Sequence, residues 1–384
     1  MGMFVFNTAP SVICGAGSLS QTGQLVADMG AAKVLVVTDP GIKELGLLSG
    51  MEKSLNQAGI EFWVFSEVRP DPSEAIVQQA LSMAREHKIA AVIGIGGGSS
   101  MDVAKLVALL AQSEQSLEQV YGVGLAKGKR LPLIQVPTTS GTGSEVTPVA
   151  IITTGSSTKK GVVSPLLLPD VALLDVELTL GLPPSVTAAT GIDAMIHAIE
   201  AYTSQHKKNP LSDSLARQAL ALLSTSIMTA VHHGDQISAR EKMLLGSMLA
   251  GQAFANAPVA AVHALAYPLG GHFHIPHGLS NSLVLPHVMR FNASVAAEQY
   301  AELAQIIDPS ISTGSAEAMT QALISSIERL IEALGLPNRL RDMKITSDQL
   351  PMLANDAMQQ QRLLINNPRE VTYEDALAIY QSAY

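Results

Sequence analysis

Two halves of different class are predicted from this 384-residue chain, an α/β domain with a parallel sheet over residues 1–182 and an all-α domain over residues 183–384. Three observations carry the prediction. Short β-branched runs alternate with amphipathic stretches through roughly the first 180 residues, as strand–helix units do. That texture changes after "LGLPPS" (Leu180–Ser185), beyond which strand signals vanish and helical periodicity runs almost to the end. Composition supplies the cores, since 47% hydrophobic against 15% charged residues is enough apolar material for two of them.

In chain order, Ala32–Gly41, Glu61–Val68 and Ala90–Ser100 read as buried strands ending in turn residues. Pro72–His87 is an amphipathic helix announced by Pro72 and Ser73. "LPLIQVPTTSGTGSE" (Leu131–Glu145) is a strand followed by a Gly/Ser/Thr loop, and Val149–Thr153 and Val171–Leu174 are further strands. Strands alternating with helices imply a parallel sheet covered on both faces. In the second half, helices are expected over Ser185–Ser204, Leu211–His233, Pro258–Leu269, Ser294–Ile307, Ala316–Leu334 and Glu374–Gln381. Ser238 and Glu241 have the spacing of a capping box. Gly270-Gly271 is expected to stop the Pro258–Leu269 helix, and His277 to open another.

Bulk properties exclude several function classes. A net charge of −9 with no long basic run argues against a nucleic-acid partner. No run approaches ~18 apolar residues, so no membrane span is expected. The start, "MGMFVFNTAPSVICGAG", lacks both a leader pattern and the hydroxyl residue of a myristoylation site. A single cysteine, Cys14, rules out an intrachain disulfide and fits a reducing cytoplasm.

Chemistry begins at the glycine loops. "GIGGGSSMDVAK" (Gly94–Lys105) lies where a strand gives way to a helix. Consecutive glycines let backbone N–H groups approach an anion, and the helix N-terminus adds partial positive charge. A tight strand-to-helix turn is the plainer alternative. The spacing is neither that of a P-loop nor G-x-G-x-x-G, although the same physics would cradle a pyrophosphate. "PTTSGTGSEVT" (Pro137–Thr147) offers hydroxyls from a neighbouring strand end. Asp39, after Val34–Thr38, can accept from a ribose 2′-hydroxyl and repel a 2′-phosphate, or can simply serve the turn before Pro40-Gly41.

On the helix Ser185–Ser204, Asp193 and His197 are four apart and share a face flanked by apolar residues. Such a pair is either a hydrogen-bonded core dyad or half of a metal site. "VHALAYPLGGHFHIPHG" (Val262–Gly278) holds His263, His272, His274 and His277. One carboxylate with three imidazoles suits a divalent ion of borderline softness, Fe²⁺ or Zn²⁺. His272, His274 and His287 read equally well as ordinary loop or core histidines.

The segments "GGGSSMD", "PTTSGTGSEVT", "AATGIDAMIHAIEAY", "AGQAFANA", "VHALAYPLGG" and "PHGLSN…LPHVMRFN" together resemble the iron-containing (group III) alcohol dehydrogenase family. That resemblance implies a dehydroquinate synthase-like architecture, with an N-terminal dinucleotide-binding domain and a helical metal-binding and catalytic domain. It puts the metal ligands at Asp193, His197, His263 and His277. Cofactor contacts fall at Asp39, Gly97, Gly98, Ser99, Thr138, Thr139, Thr142, Thr147, Lys160 and Leu178, and Phe254 lies near nicotinamide and substrate. Asp39 points to NAD rather than NADP. The ion, Fe²⁺ or Zn²⁺, is expected to polarise the oxygen of a small alcohol or aldehyde while hydride passes between its carbon and nicotinamide C4. His277, Phe254 and Tyr267 are the expected catalytic residues, with His272 and His274 as further relay candidates.

Two departures stand out. Many members carry a second histidine four residues after the third ligand, where this chain has Tyr267, a poor base with an unperturbed pKa of about 10. Val149 stands where some members have a polar residue. Both tilt the expected substrate towards a less polar alcohol. The rivals are a hydroxyacid–oxoacid transhydrogenase, a dehydroquinate synthase-like lyase and a non-catalytic nucleotide-binding protein. A homo-oligomer is also expected, with "MFVFN" as a pairing edge.

Overall fold

The computed structural model describes residues 3–155 and 158–384. The leader and myristoylation reading begins on Met1 and Gly2, outside the described residues. Two compact units are present, Asn7–Leu180 and a unit of Met1–Phe6 with Gly181–Tyr384.

Among the described residues the Asn7–Leu180 unit has nine strands: β1 (Ser11–Cys14), β2 (Lys33–Val37), β3 (Glu61–Phe65), β4 (Ala91–Gly96), β5 (Gly122–Val123), β6 (Leu133–Pro137), β7 (Val149–Thr154), β8 (Thr158–Val163) and β9 (Val171–Leu174). Its helices are α1 (Thr22–Asp28), α2 (Pro40–Glu44), α3 (Ser49–Gln57), α4 (Glu74–Glu86), α5 (Gly98–Leu110) and α6 (Leu117–Val120). Six strands form a parallel sheet in the order β1-β9-β6-β4-β2-β3. Alternation along each strand fills both faces. Leu35, Val37, Val92 and Leu133 pack into one core and Val34, Val36, Ile93 and Ile134 into the other.

The chain leaves β2 for β3 on one side and then returns to place β4 on the other. This reversal is a switch point, where the carboxyl ends of neighbouring strands open a crevice. β7 does not join the parallel sheet. It pairs antiparallel with β8 in a separate sheet ordered β5-β8-β7.

The second unit is helical, with α7 (Pro184–Thr203), α8 (Pro210–His232), α9 (Ile237–Asn256), α10 (Ala261–Phe273), α11 (His277–Ile307), α12 (Ala316–Ala333), α13 (Leu350–Ala357), α14 (Gln361–Leu364) and α15 (Tyr373–Ala383). One apolar core runs through them, including Ile192, Ile196, Leu220, Leu265 and Val288. No helix among the described residues is long and apolar enough to cross a membrane.

Three local expectations are corrected. α9 starts at Ile237 with Gln236 as its N-cap, so Ser238 lies inside the first turn and forms no capping box with Glu241. The Gln236 carbonyl already accepts from the N–H groups of Ala239 and Arg240, which begins the helix earlier. Gly270-Gly271 does not end α10, which continues to Phe273 and stops where His274 turns left-handed at φ 53°. Glycine costs roughly 1 kcal/mol per helical position, whereas burying Leu265 and Leu269 of the same helix gives back about 1.5–3 kcal/mol each. The Ser294–Ile307 pattern is the end of one 31-residue helix that passes through Pro286.

Candidate active site

Helical periodicity builds the first part of the site. Asp193, His197 and Glu200 occupy positions i, i+4 and i+7 of α7, so their side chains share one face. All three are at most 4% exposed. His263 comes from the first turn of α10 and His277 is the first residue of α11, after Pro276. The next residue, Gly278, allows α11 to come in close. A Cβ there would lie 2.2 Å from the Ala189 carbonyl oxygen of α7.

Asp193, His197, His263 and His277 each present a ligand atom, and all four atoms lie within 4.8 Å of one another. Among the described residues it is the one such group. Nε2 of His263 lies 3.9 Å and Nε2 of His277 3.8 Å from Asp193 Oδ1. Three members are buried, while the His277 side chain is 44% exposed and forms the open side. Burial raises the Asp193 pKa, but His197, His277, His263 and the Asn281 amide outweigh it and hold the carboxyl below its usual range. An ionised carboxylate and three converging imidazoles are the donor set a divalent iron or zinc ion takes. The residues therefore fit the metal.

Neighbouring side chains fix these four. Phe254 of α9 stacks on His197 with centroids 4.3 Å apart at 24°, and His197 stacks on His263 at 4.7 Å. Asn281, one turn past His277, donates from Nδ2 to Asp193 Oδ1 at 2.6 Å, and its buried Oδ1 has no hydrogen-bond partner among the described residues. Tyr267, one turn past His263, has its ring 6.0 Å from that of His277. His272 and His274 are not in this group. His272 bonds to Asp356, and His274 supplies the end of α10. His287 bonds instead to Ser382.

The Asn7–Leu180 unit gathers the glycine loops at the carboxyl ends of β2, β4 and β6. Both carboxylate oxygens of Asp39 are engaged within the protein. Oδ1 caps α2 by accepting from Ile42 N–H at 3.1 Å, and Oδ2 lies 3.4 Å from Ser100 Oγ at the switch point. Gly97, Gly98 and Ser99 lie at the start of α5, whose first N–H groups have no helical acceptor. Gly98 meets the second loop, since a Cβ there would lie 2.9 Å from Thr142 Cγ2. Thr138 and Thr139 follow β6 directly. Leu178 is buried in a short turn after β9, and exposed Lys160 lies on β8 with Nζ 5.2 Å from the Tyr121 ring centroid.

Thr147 is committed internally, because its Oγ1 accepts from Lys105 Nζ at 3.1 Å. Lys105 is fully buried and also donates to Ser144 Oγ and the Val149 carbonyl, each at 2.7 Å. Desolvation pulls its pKa down to about 8, against the attraction of Asp102 and Glu145. The sequence reading missed Lys105, Glu200 and Asn281. Lys105 and Asp102 do carry a signal, two opposite charges three apart on an otherwise apolar helix. Glu200 does too, being in register with Asp193 and His197.

Comparisons with known proteins place the chain in a family. Residues 9–176 match the family model described as iron-containing alcohol dehydrogenase, and residues 187–384 match the C-terminal model of the Fe-containing alcohol dehydrogenase family. The chain is 42% identical over 373 residues to long-chain-alcohol dehydrogenase 1 of Geobacillus thermodenitrificans, covering 96% of this chain and 94% of that one. The crystal structure of a 1,3-propanediol oxidoreductase superposes with a TM-score of 0.97 at 35% identity, covering 100% of both chains. Sulfoacetaldehyde reductase from Bifidobacterium kashiwanohense, solved in complex with NAD⁺, gives a TM-score of 0.89 at 30% identity, covering 100% of this chain and 99% of that one.

Proposed function

This chain belongs to the iron-containing alcohol dehydrogenase family, and from that premise we infer that it is a metal-dependent oxidoreductase interconverting an alcohol and its carbonyl compound with NAD as hydride carrier. The observation that carries the reading is the convergence of Asp193, His197, His263 and His277, with ligand atoms within 4.8 Å of one another and one exposed member. When bound by these four side chains, Fe²⁺ or Zn²⁺ supplies a Lewis acid for the substrate oxygen.

The chain's own residues do the rest. Asp193, His197 and His263 are held in a buried wall, so the open side is left to His277. Phe254 keeps the His197 ring in place by stacking and offers an apolar edge to the substrate. Tyr267 brings a phenol, a hydrogen-bond donor, to the His277 side. In the other unit, the N-terminus of α5 with Gly97, Gly98 and Ser99 would take the pyrophosphate, and Thr138, Thr139 and Thr142 would line the approach. Asp39 at the switch point would accept from a ribose hydroxyl and repel a 2′-phosphate, which favours NAD over NADP. The NAD⁺ complex of the sulfoacetaldehyde reductase supports this assignment.

The substrate proposed is a primary or secondary alcohol of low polarity. Tyr267 and half-buried Val149 support it, as does the likeness to a long-chain-alcohol dehydrogenase. We also propose a homo-oligomer in a reducing cytoplasm. Exposed Met3, Val5 and Val12 support the first and the single cysteine, Cys14, the second. The test is a panel of alkanols, diols and aldehydes assayed with NAD and with NADP after loading with Fe²⁺ or Zn²⁺. Turnover of alkanols with NAD supports the reading. Carbonyl-dependent turnover that needs no added nucleotide replaces it with a transhydrogenase.

A further inference from the structure

Glu200 lies one turn beyond His197 on α7, yet it is not among the four convergent donors. It is 4% exposed, and each of its oxygens has its own partner. Oε1 accepts from the Val262 N–H at 2.7 Å, and Oε2 lies 2.6 Å from Nδ1 of His263. An ionised carboxylate only accepts, so the second contact is satisfied by an imidazole carrying its proton on Nδ1. Nε2 of that ring then keeps its lone pair, and Nε2 is the nitrogen that faces Asp193 Oδ1 at 3.9 Å.

The backbone contact has a separate cause. Val262 is the second residue of α10, where N–H groups lack a helical acceptor, and the N-cap Ala260 has no side chain to offer. Glu200 therefore caps α10 from a different helix while it orients the ring one residue further on. A negative charge at that helix start is also favoured by the helix dipole.

We propose that Glu200 is a positioning residue for the metal centre, locking His263 in the Nδ1–H tautomer and fixing the start of α10 so that Nε2 is presented as a ligand. The proposal rests on the reading of Asp193, His197, His263 and His277 as metal donors. An amide cannot replace this carboxylate, because both of its partners donate. In E200Q either the –NH₂ group meets Nδ1 and drives the ring to the opposite tautomer, removing the lone pair from Nε2, or it meets the Val262 N–H and leaves that donor opposed.

The experiment measures Zn²⁺ affinity of the metal-free full chain by chelator competition, for the wild type and E200Q, with thermal melting of both metal-free forms. Loss of such an outer partner weakens metal binding by about 10–100-fold, and that loss is expected in E200Q with its metal-free melting retained. Zn²⁺ affinity within about twofold of the wild type, against that same expectation, overturns the proposal. A second measurement stands even if E200Q fails to fold. Imidazole nitrogen shifts of His263 in the metal-free wild type, assigned by their loss in His263→Ala, should show the Nδ1–H tautomer, and the Nε2–H tautomer overturns the proposal. A wild-type chain that takes up no Zn²⁺ would instead defeat the four-donor reading, on which the tautomer measurement does not depend.

Discussion

Lys105 Nζ donates to Ser144 Oγ at 2.7 Å, and this buried bond ties the helix after the first glycine loop to the second loop. Ser144 in turn donates to Asp102 Oδ1 at 2.7 Å, while Asp102 Oδ2 accepts from the Ile151 N–H at 2.9 Å. One ammonium and one carboxylate thus hold α5, the Thr142–Thr147 segment and β7 together. Lys105→Met keeps most of the side-chain length and leaves the largely buried Asp102 without its cation, a loss of about 3–5 kcal/mol. A lower melting temperature is expected together with a KM for NAD raised on the order of tenfold, since 1.4 kcal/mol of lost loop order suffices for that. Melting and NAD titration check it. Unchanged NAD affinity beside the lower melting temperature would make Lys105 structural only.

Glu145 neighbours the same lysine and is fully buried, and burial pushes its carboxyl from 4.5 up to about 7. Between those values the folded chain binds more protons here than the unfolded chain does. The stability contributed by this group is therefore full below about pH 4.5 and lost as pH rises through about 7. Glu145→Gln removes that dependence. Relative to the wild type, the variant should gain on the order of 3 kcal/mol between acid and mildly alkaline pH. A series of melting curves across pH decides it, and wild-type and variant profiles that run parallel contradict it.

Asp39 caps α2 through Oδ1, and the proposed ribose contact would fall to Oδ2, which faces Ser100. Asp39→Asn keeps an oxygen for the Ile42 cap, so the melting temperature should hardly move. Without the charge, discrimination against a 2′-phosphate should fall on the order of tenfold in the ratio of kcat/KM for NAD and NADP. An unchanged ratio would remove Asp39 from the cofactor site.

Tyr267 lies one turn past His263 and beside His277. The wild type should turn over a linear alkanol with higher kcat/KM than glycerol or 1,3-propanediol. Tyr267→His adds a smaller, two-nitrogen ring and should raise kcat/KM for the diol relative to the alkanol by about tenfold, the worth of one hydrogen bond. A polyol preference already in the wild type would contradict the apolar reading.

What the sequence made legible follows from which interactions are local. The Asp193–His197 pair is visible because four residues on a helix always share a face, and β2, β4 and β6 because a doubly covered strand must be apolar throughout. His263 and His277 came to the site by family resemblance, since no local rule joins them to α7. β8, "TKKGVV", was not visible because its burial comes from pairing with β7 and not from its own composition. α10 continued through two glycines because its other side chains are packed on the helical core. Glu200 escaped notice because its partners, Val262 and His263, lie more than sixty positions away, and Lys105 because its acceptors belong to a loop some forty residues on.

The central claim is that Asp193, His197, His263 and His277 hold one metal ion on which alcohol oxidation depends. Metal content per chain, measured on purified wild type and His263→Ala with NAD affinity determined on the same samples, tests it most directly. The account predicts one Fe²⁺ or Zn²⁺ per wild-type chain, almost none in the variant, turnover lost with the metal, and NAD affinity unchanged. A His263→Ala protein that keeps both its metal and its turnover would contradict it.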